Sequence, residues 1–437
     1  RRQRQMCIRD RLYTAIEHIT LRSQNVAGLM LKDHNLAVRG IASENAVPAV
    51  VVDGDQSTLA LLDCYLTGGD PGEPAIELHS GFLLARNIKT SGYATALNAV
   101  RGHQAPSGSE IESYISHECP LILPGAVQKT LNLPIEETPK PQRPTDPGQW
   151  VSVNHFGAKG DGLTDDTEAI QKAMNAGKPV VYFQPGSYLI DRTIEVPSEV
   201  NFVNFMYCDL VAGGNLQEQE DAGTFRVSGE AEQPLVFEDL FAFERYFGAH
   251  YLVDHASTRT LVLSDLHTQV GALYFNSISG GKVFIENICC TDQFPPYRNC
   301  MTFRGQKVWA RQLNPERGEP MILNDGGDLV LMGYKSEGRG VIVHTVNGGR
   351  TEVLGGVINV GRPGDAAFVS EDARVRITTA SQNRHPGGYY RTAVRTIDRG
   401  HAAELEAANL PLRAGNEASA PQFVIPLYAS PLDFVGD

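Results

Sequence analysis

The chain has 437 residues, 42% hydrophobic and 20% charged, which is enough apolar material for a large packed core and excludes a disordered or disulfide-stapled miniature chain. With 43 Gly and 25 Pro, turns recur every few residues, and the composition reads as all-β. A formal net charge of −13 excludes a general nucleic-acid or anionic-membrane binder, both of which need a positive field, and no run approaches the ~18 apolar residues of a membrane span.

The first eleven residues, RRQRQMCIRDR, have no periodicity and resemble translated adapter sequence, so 1–11 are set aside as an artefact. The chain from residue 12 onward begins in mid-pattern, and the natural amino terminus with any export signal is expected to lie upstream. The seven cysteines, Cys7, Cys64, Cys119, Cys208, Cys289, Cys290 and Cys300, show no paired C-x-x-C spacing and read as buried thiols. Cys289 and Cys290 would point to opposite faces of a strand, so at most one packs inside.

From residue 12 the chain repeats. Alternating decapeptides begin at Ile16, Leu36, Leu59 and Leu83, then again at Val236, Leu261, Val283, Val308, Leu329, Thr351 and Val375. A period of roughly 20 to 25 residues with strand-like units closed by Gly, Asn or Asp predicts a parallel β-helix. A leucine-rich repeat has a similar period, but the units at Thr351 and Val375 do not keep its frame. The organisation expected is 12–130 as part of a first β-helix, 131–149 as a Pro-rich linker, and 150–437 as a second β-helix. At the head of the second, Thr164 and Asp165 stand where a helix N-cap belongs, Glu168 completes a capping box, Ala169, Ile170 and Ala173 form an apolar stripe, and Gly177 ends the helix. Such a helix covers the open first rung.

The stretch FGAKGDGLTDDTEAI followed by VVYFQPGSYLI resembles the opening segment of pectate-lyase-superfamily right-handed parallel β-helix proteins, the group of rhamnogalacturonase and epimerase-like proteins and phage tailspikes. In that group Asp161, Asp165 and Asp166 would shape the cap. The tandem arrangement, two β-helices joined by a Pro-rich linker, resembles glycoside hydrolase family 55, whose members are exo-acting β-1,3-glucanases. That family carries a Trp-bearing strand followed by a strand close to W-L-Y-G-x-x-x-E-H with a catalytic Glu. Here Trp309 is followed by LVLMGYKSEG, so the resemblance implies that Glu337 is the acid. Gly338 replaces the His, and Arg311 with Gln312 stands in place of an Asp-His pair.

The repeat frame makes its own prediction. Its ninth position carries Glu244, Gln269, Thr291, Glu316, Glu337, Asn359 and Asn383, a polar column if rungs stack at ~4.8 Å. Adjacent Glu316 and Glu337 would repel, so one would hold a proton near neutral pH and serve as general acid. An inverting reaction, as in the resembled family, would take its base from Asp325 or from an outward-turned Glu316 beside Pro315. Lys335, Arg311, Gln312 and Arg339 are expected to orient substrate, with Arg304, Lys307, Arg317 and Arg350 nearby. Trp309 and Tyr334, with Phe294 and Tyr297, would stack on sugar rings. The alternative that Glu316 and Glu337 are solvated partners of Arg317 and Arg339 stays open.

The function expected is an exported, extracellular or periplasmic polysaccharide-degrading glycoside hydrolase of bacterial type. Two others stay open. A polyuronate lyase would use the basic set and would bring Ca²⁺, although no dense Asp cluster supplies the six to eight oxygens calcium takes. A non-catalytic glycan-binding β-helix would use the same shallow groove. Hydrolysis itself calls for no metal or cofactor, and the partner is a polysaccharide or oligosaccharide.

Overall fold

The computed structural model describes residues 13–242, 251–268, 272–291, 299–316, 318–338, 340–360, 364–383, 388–411 and 422–431. Nearly every strand pairs in parallel with the strand one repeat later, and the strands collect into long sheets that run the length of two solenoids. In the first, Val38 lies against Leu61, and Leu61 against Ala85. In the second, Leu263, Ile285, Ala310, Leu331, Val353 and Ile377 stack in one unbroken file. The parallel β-helix that the period predicts is the fold observed.

The rungs share a local device. Most repeats of the long sheets bend at a residue with left-handed φ: His18, Gly40, Asp63 and Asn87 in the first solenoid, and Asp239, Asp265, Asn287, Gln312, Gly333 and Gly355 in the second. Most are Gly, Asn or Asp, the residues that reach this conformation at least cost. Counting from the corner corrects two repeats of the sequence frame. Ile16 pairs with Val38 rather than Leu36, and Val236 pairs with Val262 rather than Leu261. The frame slips because the sheet is buried on both faces, which erases the alternation that would fix register.

One face of the long sheet fills the core of the second solenoid, and the other looks toward the first solenoid. There Val180, Phe202, Val236, Val262, Phe284, Trp309 and Val330 meet Ala37, Ala60 and Leu84 in a separate apolar cluster. The approach is tight at Gly355, where a Cβ would stand 3.3 Å from that of Ala37. Its φ of +81° and this contact together make a side chain there strained.

The segment 131–149 runs along this seam and is fastened at several points. Glu352, 0% exposed, accepts the backbone N–H groups of Leu131 (2.7 Å), Asn132 (3.2 Å) and Leu133 (2.9 Å), and Arg86 Nη1 (3.2 Å). Trp309 Nε1 donates to the Pro134 carbonyl at 2.8 Å. Arg311 reaches Glu17, the Glu136 carbonyl (2.7 Å) and Glu286 (3.6 Å). Arg39 ties Glu17 and Glu137 together, at 2.7 Å to each. The linker is thus a packed strap.

The capping helix covers Thr167–Met174 and buries Ile170, Ala173 and Met174 over the first rungs. Its start differs from the sequence expectation. Asp166 is the N-cap but turns its carboxylate back onto the N–H groups of Lys159 (2.6 Å) and Gly160 (3.0 Å), while Asp165 accepts from Thr167 N (3.0 Å). Glu168 faces Lys172 at 3.7 Å instead of closing a capping box. Asp161 accepts from Leu163 and Thr164, so all three aspartates shape backbone.

Candidate active site: two carboxylates on one lysine

The strand Asp328–Gly338 carries Lys335 and Glu337 on one side, two residues apart. On the preceding rung the short strand Asn314–Pro315 leads into Glu316. The Glu316 N–H donates to Cys290 (2.9 Å) and the Lys335 N–H to Leu313 (3.0 Å), which sets Glu316 and Glu337 at the same height of successive rungs. The Lys335 ammonium, 5% exposed, bridges them: it lies 3.2 Å from Glu316 Oε1 and in direct contact with Glu337 Oε1. Beyond Glu337 the column continues through Asn359, whose Nδ2 is 3.5 Å from Glu337, and Gln382, which donates to Asn359 Oδ1. Gln382 takes the place expected of Asn383 because the strand bulges between Leu354 and Val357.

Burial raises the Glu316 pKa above the ordinary carboxylate value and the Glu337 charge adds to it, against Lys335 and the Asn314 amide. Burial also works to lower the Lys335 pKa, but the two carboxylates outweigh it and hold the ammonium above its usual value. Asn314 Nδ2 donates to Glu316 Oε1 at 2.9 Å and to Cys289 Sγ at 3.1 Å, while its Oδ1 is buried and has no hydrogen-bond partner among the described residues.

The structure brings together Glu316, Glu337 and Lys335, and places the other expected site residues elsewhere. Trp309 is 4% exposed, stacked on Phe284 at 4.8 Å and capped by the strap. Its face is closed to a sugar ring. Tyr334 lies inside the core with its hydroxyl 2.8 Å from Thr379 Oγ1. Arg311 is consumed by the seam, and Gln312, a left-handed corner, donates to Ala15 O at 3.1 Å. These corrections share one cause: the frame cannot tell the core and seam faces of a strand buried on both sides from an open one. Asp325 ends the strand Ile322–Asp325 of a different sheet and accepts from Asn347 (2.7 Å). Arg304 is bonded to the Asn276 carbonyl at 3.0 Å and Arg350 to Asp328 at 2.6 Å. Arg339, Arg317, Phe294, Tyr297, Glu244 and Gln269 lie outside the described residues. Asn314 and Gln382 were missed. The former sits two residues past the corner Gln312, at the same place as Lys335 past Gly333, and counting from the corner would have found it.

The profile of a family described as rhamnogalacturonase A/epimerase, pectate lyase-like, matches residues 150–204, the stretch that holds the capping helix. This chain is a pectate-lyase-like parallel β-helix. It resembles glycoside hydrolase family 55, and its similarities to individual proteins are local. It is 43% identical over 68 residues to a probable glucan endo-1,3-beta-glucosidase of Arthroderma benhamiae, which is 15% of this chain and 8% of that protein. It is 34% identical over 80 residues to a glucan 1,3-beta-glucosidase of Cochliobolus carbonum, 17% and 10% of the two chains. It is also 50% identical over 48 residues to the pre-neck appendage protein of Bacillus phage phi29, 11% and 6%. These matches span a tenth or less of each relative's length. No helix of this β-helix chain, among the described residues, is long and apolar enough to cross a membrane.

The lysine gives a first test. Lys335→Met leaves two half-buried carboxylates without their counter-ion, and stability at neutral pH should fall by about 3 kcal/mol. Protonation relieves the repulsion, so part of the loss should return as pH falls through the carboxylate range. Urea unfolding at two pH values measures this, and a loss independent of pH would mean that Lys335 acts through its packing alone.

Proposed function

We propose that this β-helix is a glycoside hydrolase that cleaves neutral β-1,3-linked glucan outside the cell, acting from a chain end, with Glu316 and Glu337 as its acid and carboxylate. The observation that carries the reading is the pair itself: two carboxylates on one buried ammonium, one of them pushed toward its protonated form. Glycosidic cleavage needs such a division of roles, one group to protonate the leaving oxygen and one to stay ionised. The Glu316 pKa is raised by its burial and by the neighbouring carboxylate, so the proposal makes Glu316 the donor and Glu337 its partner carboxylate, the reverse of what the resemblance implies. The Asn359–Gln382 ladder extends the polar floor. Because both carboxylates touch the same ammonium, their oxygens are closer than the ~6.5–9.5 Å of an inverting pair. The spacing favours retention, with Glu337 as nucleophile, and Asp325, on a different sheet, is not placed to serve this pair as an inverting base.

Charge favours a neutral substrate over a polyuronate. With Glu316 protonated the cluster is neutral, and it offers no free cation to a uronate, because Lys335 is held by both glutamates and Arg311 by the seam. The names of the two fungal relatives support the linkage, while a glycan-binding β-helix without catalysis is the alternative that the assay must separate. Reducing ends are to be measured on a panel of neutral and uronic polysaccharides, alongside the ultraviolet absorbance of unsaturated products. Reducing ends from β-1,3-glucan without absorbance are expected. Absorbance would assign a lyase, and binding without either product would assign an adhesin.

A further inference from the structure

Trp309 and Tyr334 are turned away from the carboxylate pair, but the face that carries the pair does bear rings, on earlier rungs. Two residues past each left-handed corner the strand presents a side chain outward, and in register these positions are Phe241, His267, Cys289, Asn314 and Lys335. Phe241 and His267 are both half-buried and stack, with ring centroids 5.9 Å apart and planes inclined by 27°. From His267 to Lys335 is three rungs, roughly 14 Å at ~4.8 Å each. On the other side of Lys335 the file continues with Val357 and Ala380, which are fully buried and carry no ring. The face therefore opens toward the rings.

A third ring stands on the rung before Phe241. Tyr207 is 56% exposed, and its N–H donates to the Asp239 carbonyl at 2.6 Å, while the Phe241 N–H donates to the Cys208 carbonyl at 3.3 Å. Met206 and Tyr207 both take left-handed φ, 47° and 58°, a conformation that is costly for large side chains. Asn204 holds the turn: its Oδ1 accepts the Met206 N–H at 2.8 Å, and its amide donates to Asp239 Oδ2 at 3.1 Å. A strained turn kept by a dedicated bond, with an aromatic ring in solvent as its product, is the pattern of a ligand contact. The corners beside these rings carry carboxylates, Asp239 and Asp265.

We propose that Tyr207, Phe241 and His267 form a stacking subsite for a neutral glucan chain, holding the chain on one side of the acid pair while its end reaches Glu316 and Glu337. Sugar rings lay their apolar C–H faces on the aromatic side chains, and their hydroxyls donate to Asp239 and Asp265. Carboxylates at the corners suit a chain of hydroxyl donors and repel a polyuronate. A track on one side only, closed beyond Lys335 by Val357 and Ala380, suits cleavage from a chain end. The choice of glucan as occupant rests on the glycosidase reading, so binding and turnover have to be measured apart.

The test is calorimetric affinity of the full chain for a short and a long β-1,3-gluco-oligosaccharide, in a Glu316→Gln background so that turnover does not consume the ligand. Phe241→Leu, Phe241→Tyr and Tyr207→Ala are compared with that parent, each with its unfolding midpoint checked. The parent should bind the long chain more tightly than the short one. Phe241→Leu keeps apolar volume but loses the ring, and it should weaken long-chain binding roughly tenfold, as should Tyr207→Ala, whereas Phe241→Tyr should retain it. Tyr207 is exposed, so its truncation tests the track even if Phe241→Leu fails to fold. Equal affinity for long and short chains, unchanged long-chain affinity in Tyr207→Ala and Phe241→Leu, or no glucan binding by the parent would overturn the proposal. Reducing-end release by the unaltered chain is read separately. Its absence alongside ring-dependent binding would overturn the hydrolase reading and leave the subsite standing.

Discussion

Replacing Glu352 by alanine is expected to lower the free energy of unfolding by roughly 3–5 kcal/mol, the range for breaking a buried ion pair from one side. The carboxylate is fully buried and is the shared acceptor of three strap N–H groups and of Arg86, itself 2% exposed. Its removal leaves a cation without a counter-ion and three donors without an acceptor, each at its own desolvation penalty. Glu352→Gln keeps an acceptor oxygen in place and should lose about half as much. The chain has 2 Trp, and Trp309 is bonded to the strap at Pro134, so its fluorescence reports release of the strap during urea unfolding. A loss below about 1 kcal/mol, near the net worth of one hydrogen bond, would mean that apolar contacts of Leu133 and its neighbours hold the strap unaided.

The largest kinetic effect is expected from Glu316→Gln. The amide preserves size and can still meet Asn314 and Lys335, but it has no transferable proton, so turnover on a neutral glucan should fall by a factor of ~10² to 10⁴. Wild-type activity should be lost as pH rises through the Glu316 pKa. That pKa is raised by burial and by Glu337, so the acid form persists to higher pH than for an ordinary glutamate. In Glu316→Gln this alkaline limb should vanish from the residual rate. A limb that persists unchanged would assign the titrating group to another residue.

The repeat spacing was enough to read the solenoid from the sequence, because a stacked rung needs the same inward residues at the same interval and little else. The capping helix was equally legible, although Asp165 and Asp166 divide the capping work differently from the expected box. The site was legible only along the ninth position, where Glu316 and Glu337 stand out as paired carboxylates. Trp309, Tyr334, Arg311 and Gln312 looked like substrate contacts because aromatic and basic residues near a carboxylate pair usually are. Nothing in a period of 20 to 25 residues tells which side of the sheet meets a second solenoid. The signal that would have helped is the left-handed corner. Asp63, Asn87, Asp239, Asp265 and Asn287 mark it repeat after repeat, and counting two residues past it reaches Cys289, Asn314 and Lys335 in one file.

The most direct measurement is the rate of reducing-end release from soluble β-1,3-glucan by Glu337→Gln, across pH, with its unfolding midpoint shown to match the wild type. Turnover should fall by ~10² to 10⁴, and the alkaline limb of the remaining rate should move to lower pH, because the charge that raises the Glu316 pKa is gone. Full wild-type turnover in this variant would contradict the account and leave Glu316, Lys335 and Glu337 as a structural ladder.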